Sequence, residues 1–205
     1  MRAIFVRVTE YGDRFFCDPS LDPFWAECQD LGVAIGLHPG AFGGSWCAAK
    51  LYQSHAVPGL GQHISFAFDA MYGLTAIVGF GILERFPRLT FAILEAGGGW
   101  VPHWMDRVDH FQEVNFEDVR HLTAKASDYF RRQCYISYDP DERTLPLLVD
   151  AIGDDRIMWA TDFPHLDVTA PNTVDELRKN IERLPDASQR KIMGENAVRL
   201  YSLSV

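Results

Sequence analysis

Trp159-Ala160-Thr161-Asp162-Phe163-Pro164-His165 carries a short apolar run into an acid and then a proline. Residues 156–160 read as a strand, and Pro164, which has no N–H to give to a sheet ladder, ends it. In a parallel α/β barrel, a polar side chain at the C-terminal end of a strand stands on the face where active sites form. An Asp placed there can bind a metal or take a proton. The same event occurs earlier, where Val33-Ala34-Ile35-Gly36-Leu37 runs into His38-Pro39-Gly40. Two strands that each deliver a metal-compatible side chain at their ends point to a metal-dependent barrel enzyme.

Five segments have this strand character: residues 3–8, 33–37, 91–94, 134–138 and 156–160. They are short, rich in β-branched or aromatic residues, and nearly all apolar, as strands buried on both faces of a parallel sheet are. Helical patterns lie between and after them, at residues 22–30, 64–86, 100–111, 122–131, 144–152, 174–183 and 188–201. Asp22-Pro23 reads as a cap followed by a first-turn proline, and Asp186 as a cap for the last helix. Strand–helix alternation predicts βα units in one domain spanning residues 1–205. Five such units do not close an eight-stranded barrel. The expected architecture is therefore a partial (β/α)8 TIM barrel, about five C-terminal units with the N-terminal ones missing. Residues 42–62 are expected to form a long irregular loop of the kind that covers active sites.

The bulk properties narrow the choice of function. The chain has 205 residues, 47% hydrophobic and 23% charged, enough for one domain with a real core. A formal net charge of -9 and the lack of any basic stripe argue against nucleic acid as a partner. No apolar run reaches the ~20 residues of a membrane helix. The four cysteines, Cys17, Cys28, Cys47 and Cys134, have no paired spacing and read as reduced thiols of a cytoplasmic protein.

Each candidate residue has a bland alternative. His38 suits a zinc ligand, or a loop histidine bonded to a backbone carbonyl. Asp162 suits a metal ligand that also accepts a proton, or a cap for the turn that follows. Glu95 ends the run Phe91-Ala92-Ile93-Leu94 and suits a catalytic base or metal ligand, or half of a salt bridge to an arginine. His165 could contact substrate or orient Asp162, or simply open a helix. Glu142, after the strand at residues 134–138, could line the mouth. Trp46, within the irregular loop, could stack on an aromatic substrate. His55 and His63 could reach the mouth. His103 reads as structural or as a loop contact, and His110 and His121 as solvated surface.

Several stretches carry a resemblance. They are Asp22-Pro23-Phe24-Trp25, Gly36-Leu37-His38-Pro39-Gly40, Gly81-Ile82-Leu83-Glu84-Arg85-Phe86-Pro87-Arg88-Leu89, Glu95-Ala96-Gly97-Gly98-Gly99-Trp100-Val101-Pro102, Thr161-Asp162-Phe163-Pro164-His165 and Gly194-Glu195-Asn196-Ala197-Val198-Arg199-Leu200-Tyr201. In that order, the chain resembles the C-terminal portion of amidohydrolase-related proteins, in the branch with aminocarboxymuconate-semialdehyde decarboxylase and γ-resorcylate decarboxylase. The resemblance implies a (β/α)8 barrel holding a divalent metal, commonly zinc. It implies His38 at the fifth strand and Asp162 at the eighth as metal ligands. Two departures stand out. No His-x-His pair occurs in the chain, and Glu95 stands where the decarboxylases carry a sixth-strand histidine.

The expectation is a metal-dependent hydrolase acting through metal-activated water on a small carboxylated or cyclic molecule. Zinc is the expected metal, with manganese as the other choice. Asp162 and Glu95 are the expected catalytic groups, His38 and Asp162 the metal ligands, and His165, Trp46 and Glu142 the substrate contacts. Non-oxidative decarboxylation is the alternative reaction. An inactive or binding-only fragment is the alternative class, and pairing with another copy is its way of covering the open sheet.

Overall fold

The structure is a computed structural model and describes residues 1–39, 58–165 and 170–204. Strand β1 (Ala3–Arg7) leads into a small antiparallel hairpin, β2 (Glu10–Tyr11) and β3 (Arg14–Phe15). Helix α1 (Asp22–Asp30) precedes β4 (Ala34–His38). Helices α2 (Pro58–Gly79) and α3 (Ile82–Arg85) lead to β5 (Phe91–Ile93). Helices α4 (Val101–Val114), α5 (Phe116–Val119) and α6 (Ala126–Gln133) lead to β6 (Cys134–Tyr138). Helix α7 (Leu145–Ile152) precedes β7 (Ile157–Trp159), and α8 (Thr173–Ile181), α9 (Asp186–Arg190) and α10 (Asn196–Tyr201) follow it.

The five longer strands form one parallel sheet in the order β1-β4-β5-β6-β7. This is an α/β fold built on a single five-stranded parallel sheet. All five strand segments read from the sequence are strands, with ends shifted by a residue or two.

The two faces of the sheet differ in chemistry. On one, Ile35, Leu37, Phe91, Ile93, Ile136 and Ile157 pack against helix residues such as Trp25, Leu74, Leu83, Trp104, Phe130 and Ile181. Fully burying each such side chain contributes roughly 1.5–3 kcal/mol. On the other, Ala34, Ala92, Tyr135 and Met158 meet Leu200 from α10, with Leu94, Ala197 and Tyr201 alongside. Phe5, paired in register with Gly36 on β4, is 64% exposed.

Several local expectations change. The helix expected over residues 64–86 starts earlier and is split, because Gly81 takes a left-handed conformation at φ 70 between α2 and α3. Helix α2 runs from Pro58, so residues 58–62 of the expected loop are helical, and residues 40–57 lie outside the described part. That segment includes Trp46, Cys47 and His55. The carboxylate of Asp22 caps no helix but pairs with Arg85, at 2.9 Å to Nε and 2.7 Å to Nη2. Asp186 sits inside the first turn of α9, with Pro185 at the cap.

The last helical run is interrupted by a π turn at Lys191–Glu195. The wider turn lets Asn196, fully buried, donate to the carbonyls of Asp154 (2.8 Å) and Ile157 (2.7 Å). Trp159 Nε1 donates to the Met193 carbonyl at 3.1 Å. These bonds lock the C-terminal helices to the sheet's last strand. Among the described residues, no helix is long and apolar enough to cross a membrane.

Candidate metal and catalytic centre

The C-terminal ends of β4, β5 and β7 converge on one group of side chains. His38 is the last residue of β4. Glu95 lies two residues beyond the end of β5, and Asp162 three beyond the end of β7. Both acids occupy the left-handed region, at φ 50 and φ 52. Non-glycine residues hold that conformation at a cost of order 1–3 kcal/mol, which surrounding contacts must offset.

Glu95 is the hub. Its Oε2 lies 2.8 Å from His38 Nε2, and its Oε1 lies 3.6 Å from His165 Nδ1. His165 Nδ1 also lies 2.6 Å from Asp162 Oδ2, so one imidazole nitrogen stands between two carboxylates. Ligand-capable atoms of Glu95, Asp162 and His165 all fall within 4.8 Å of one another. His38 joins this trio through Glu95. Arginine, the expected structural partner of Glu95, is not among the partners described for it.

Both ring nitrogens of His38 face acceptors, since Nδ1 is 2.7 Å from the Pro39 carbonyl oxygen. A neutral imidazole carries one N–H, so two acceptors favour the protonated ring. The hydrogen bond to Glu95 accordingly raises the His38 pKa above its usual value, with the Pro39 carbonyl helping and burial opposing.

The donor set suits a divalent cation. Two carboxylates and an imidazole are the ligands that zinc and manganese accept. Ligands bound at about 2.1 Å stand up to about 4.2 Å apart, so side-chain adjustment alone would bring the trio onto an ion. A bound cation would compete for the Asp162 and Glu95 oxygens that now face His165 Nδ1.

Glu142, expected to line the mouth, has its carboxylate engaged within the protein. Its carboxylate accepts Gly98 N–H (3.1 Å to each oxygen), Gly99 N–H (2.8 Å) and the Thr144 hydroxyl (2.8 Å). His103 and His110 are exposed. His121, expected as free surface, has Nε2 2.8 Å from the Gly79 carbonyl. The remaining tryptophans pack or bridge: Trp104 Nε1 donates to Thr75 at 2.9 Å, and Trp100 Nε1 to the Ala96 and Gly97 carbonyls, both at 3.1 Å. The tie from Glu142 to the glycine run had no signal in the sequence beyond the glycines themselves.

A groove of about 740 Å³ lies elsewhere, between the hairpin and α2, lined by Val8, Phe15, Tyr72 and Phe80 among others. None of the four clustered residues lines it.

The class that fold and rim define is borne out by comparison with known proteins. The amidohydrolase family model matches residues 2–203, and the chain belongs to that family. It is 29% identical over 191 residues to a γ-resorcylate decarboxylase of Rhizobium sp. (strain MTP-10005), covering 90% of this chain and 55% of that one. It is 24% identical over 192 residues to the 2-amino-3-carboxymuconate-6-semialdehyde decarboxylase of Dictyostelium discoideum, covering 91% and 49%. The chain thus spans about half the length of these relatives. Among solved structures it resembles a dihydroxybenzoic acid decarboxylase from Polaromonas sp. JS666 with bound manganese and the inhibitor 2-nitroresorcinol. That match has a TM-score of 0.71 and 25% identity, and covers 92% of this chain and 55% of the other.

Proposed function

We propose that the chain is the site-bearing part of a metal-dependent carboxy-lyase, releasing CO2 from a small carboxylated, ring-containing acid. The observation that carries this is the convergence of His38, Glu95, Asp162 and His165 on one rim, in a chain whose named relatives are decarboxylases. The expected hydrolase reading gives way to this alternative, because the relatives named above cleave carboxyl groups. The five βα units would be the last five of an eight-stranded barrel, with residues 1–205 as one domain. A cytoplasmic setting accords with the buried, unpaired thiols of Cys17, Cys28 and Cys134.

Glu95, Asp162 and His165 would hold the cation, with His38 entering once it releases Glu95. Manganese, bound in the Polaromonas relative, fits this set as well as zinc. The metal would supply a positive charge that binds the substrate's carboxylate or ring hydroxyl and lowers the cost of charge developing on the ring. In non-oxidative decarboxylation the C–C bond to the carboxylate breaks, CO2 leaves, and the ring carbon gains a proton. Glu95 stands where the decarboxylases carry a sixth-strand histidine, and His165 brings an imidazole next to it. With Asp162 and His165 engaged by the cation, the proton gained by the ring carbon would come from solvent.

The test is to supply the purified chain with Mn²⁺ or Zn²⁺ and a panel of hydroxybenzoic acids in H₂¹⁸O. About one tightly bound ion per chain and CO2 release without ¹⁸O in the ring product are expected. Solvent oxygen appearing in the product with no CO2 would return the hydrolase reading. No binding of either ion by folded protein would remove the metal.

A further inference from the structure

We infer that Glu142 is a positioning residue for Glu95, acting through the glycine turn between them; the inference rests on Glu95 being part of the proposed centre. The chain reverses direction between the end of β5 and the start of α4. Glu95 at φ 50 and Gly97 at φ 58 are both left-handed. Such a turn leaves backbone groups without secondary-structure partners, and each must find one locally.

The N–H groups of Gly98 and Gly99 both enter the Glu142 carboxylate, at 2.8–3.1 Å. The carbonyls of Ala96 and Gly97 accept from the Trp100 indole. From below, Gly98 rests on the Tyr138 ring so closely that a Cβ there would fall 2.0 Å from Cζ. Only a glycine fits, and its peptide has no freedom to drift.

Glu142 is itself braced. Thr144 Oγ1 donates to its Oε1 at 2.8 Å, and Asn180 Nδ2 donates to its main-chain carbonyl at 2.8 Å and to that of Pro140 at 3.2 Å. A charged acceptor from the loop after β6 thus fixes the peptide planes three and four residues beyond Glu95. That fixes the direction in which the Glu95 carboxylate leaves the strand end, toward His38 on one oxygen and His165 on the other. Charge-assisted bonds to backbone N–H groups are about twice as strong as neutral ones, which suits a brace that must hold a left-handed turn.

The test compares wild type with Glu142→Gln and Thr144→Val, the second loosening the brace without removing it. Three readouts are taken: Mn²⁺ affinity by electron paramagnetic resonance, the ¹⁵N imidazole spectrum of His38 in metal-free protein at one fixed pH, and thermal unfolding. Glu142→Gln is expected to weaken Mn²⁺ about tenfold and to shift the His38 Nε2 signal, with the melting temperature moved by only a few degrees. Thr144→Val is expected to weaken binding two- to threefold. Affinity within twofold of wild type together with an unmoved His38 signal in both folded variants would overturn the inference. Were wild type to bind no Mn²⁺, the proposed function would fail, and the His38 spectrum would still decide whether Glu142 aims Glu95.

Discussion

Asp154 and Asp162 sit at opposite ends of β7 and are handled in opposite ways. At the N-terminal end, Asp154 accepts from Ser188 Oγ and Lys191 Nζ, both at 2.7 Å, while its carbonyl accepts from Asn196. Every partner comes from the C-terminal helices, and each bond ties them to the sheet. At the C-terminal end, Asp162 takes a left-handed backbone and spends its carboxylate on His165, an exposed neighbour three residues away. The first cluster is satisfied and adds to folding. The second is assembled at a backbone cost and is suited to exchange its proton for a cation. In barrel folds the same division recurs, with stability at the N-terminal face and chemistry at the C-terminal one.

The sharpest way to break this contrast is Asn196→Ala. It strands two buried carbonyls and opens a void, so a loss of about 3 kcal/mol in chemical denaturation is expected. Mn²⁺ affinity of the protein that remains folded should not change. If affinity falls with stability, the two ends are coupled and the division fails.

Asp162→Asn is expected to do the reverse. It should weaken Mn²⁺ about 100-fold, equivalent to about 2.7 kcal/mol of binding, and shift stability by less than ~0.5 kcal/mol. A titration by calorimetry alongside a denaturation curve checks both halves.

Asp154→Asn should cost about 1 kcal/mol near neutral pH, a modest figure because solvent screens a partly exposed pair. The Lys191 ammonium, with Ser188 assisting, lowers the Asp154 pKa below the usual 3.8. A lowered carboxylate stabilises the fold above its unfolded value, and that contribution disappears as pH falls through the folded value. The difference between wild type and variant should therefore be constant above pH 5 and shrink in acid below about pH 4. A gap that persists there would show that Asp154 acts through packing alone.

The smallest effect on the stability of metal-free protein is expected at Glu95→Gln. Without the acid, the His38 pKa should drop back toward its ordinary 6.5, as read by NMR titration of metal-free protein. Because the folded value is raised, the pair stabilises the protein below the ordinary value and that help is lost as pH rises through the folded one. The stability change is expected to be a few tenths of a kcal/mol, since His38 is over a third exposed. An unmoved His38 would mean that the Pro39 carbonyl alone sets its protonation.

How much of this was legible in the sequence follows from the range of each interaction. The strands around Ile35, Phe91, Ile136 and Ile157 announce themselves, because a strand covered on both faces must be continuously apolar. His38 and Asp162 stand out because a polar residue breaks each run at its end. The β2–β3 hairpin did not stand out. Its strands are two residues long, each one charged and one aromatic residue, too short for any alternation to register. Nor did the break at Gly81, since a glycine inside an apolar helix pattern does not declare its φ. The partners of Glu142 were not legible for a related reason. Its position after β6 was right, but its partners are backbone N–H groups 43 and 44 residues earlier.

The sequence by itself determined the parallel α/β class and which residues end the strands, because periodicity and chain-breaking residues act within a few positions along the backbone. Only the tertiary structure decided that Glu95 would pair with two histidines rather than an arginine, and that Glu142 would hold the glycine turn. Those contacts join residues 43 to 70 apart in the chain, and which of several possible partners a carboxylate meets is set by how the strands are registered and how the loops close over them.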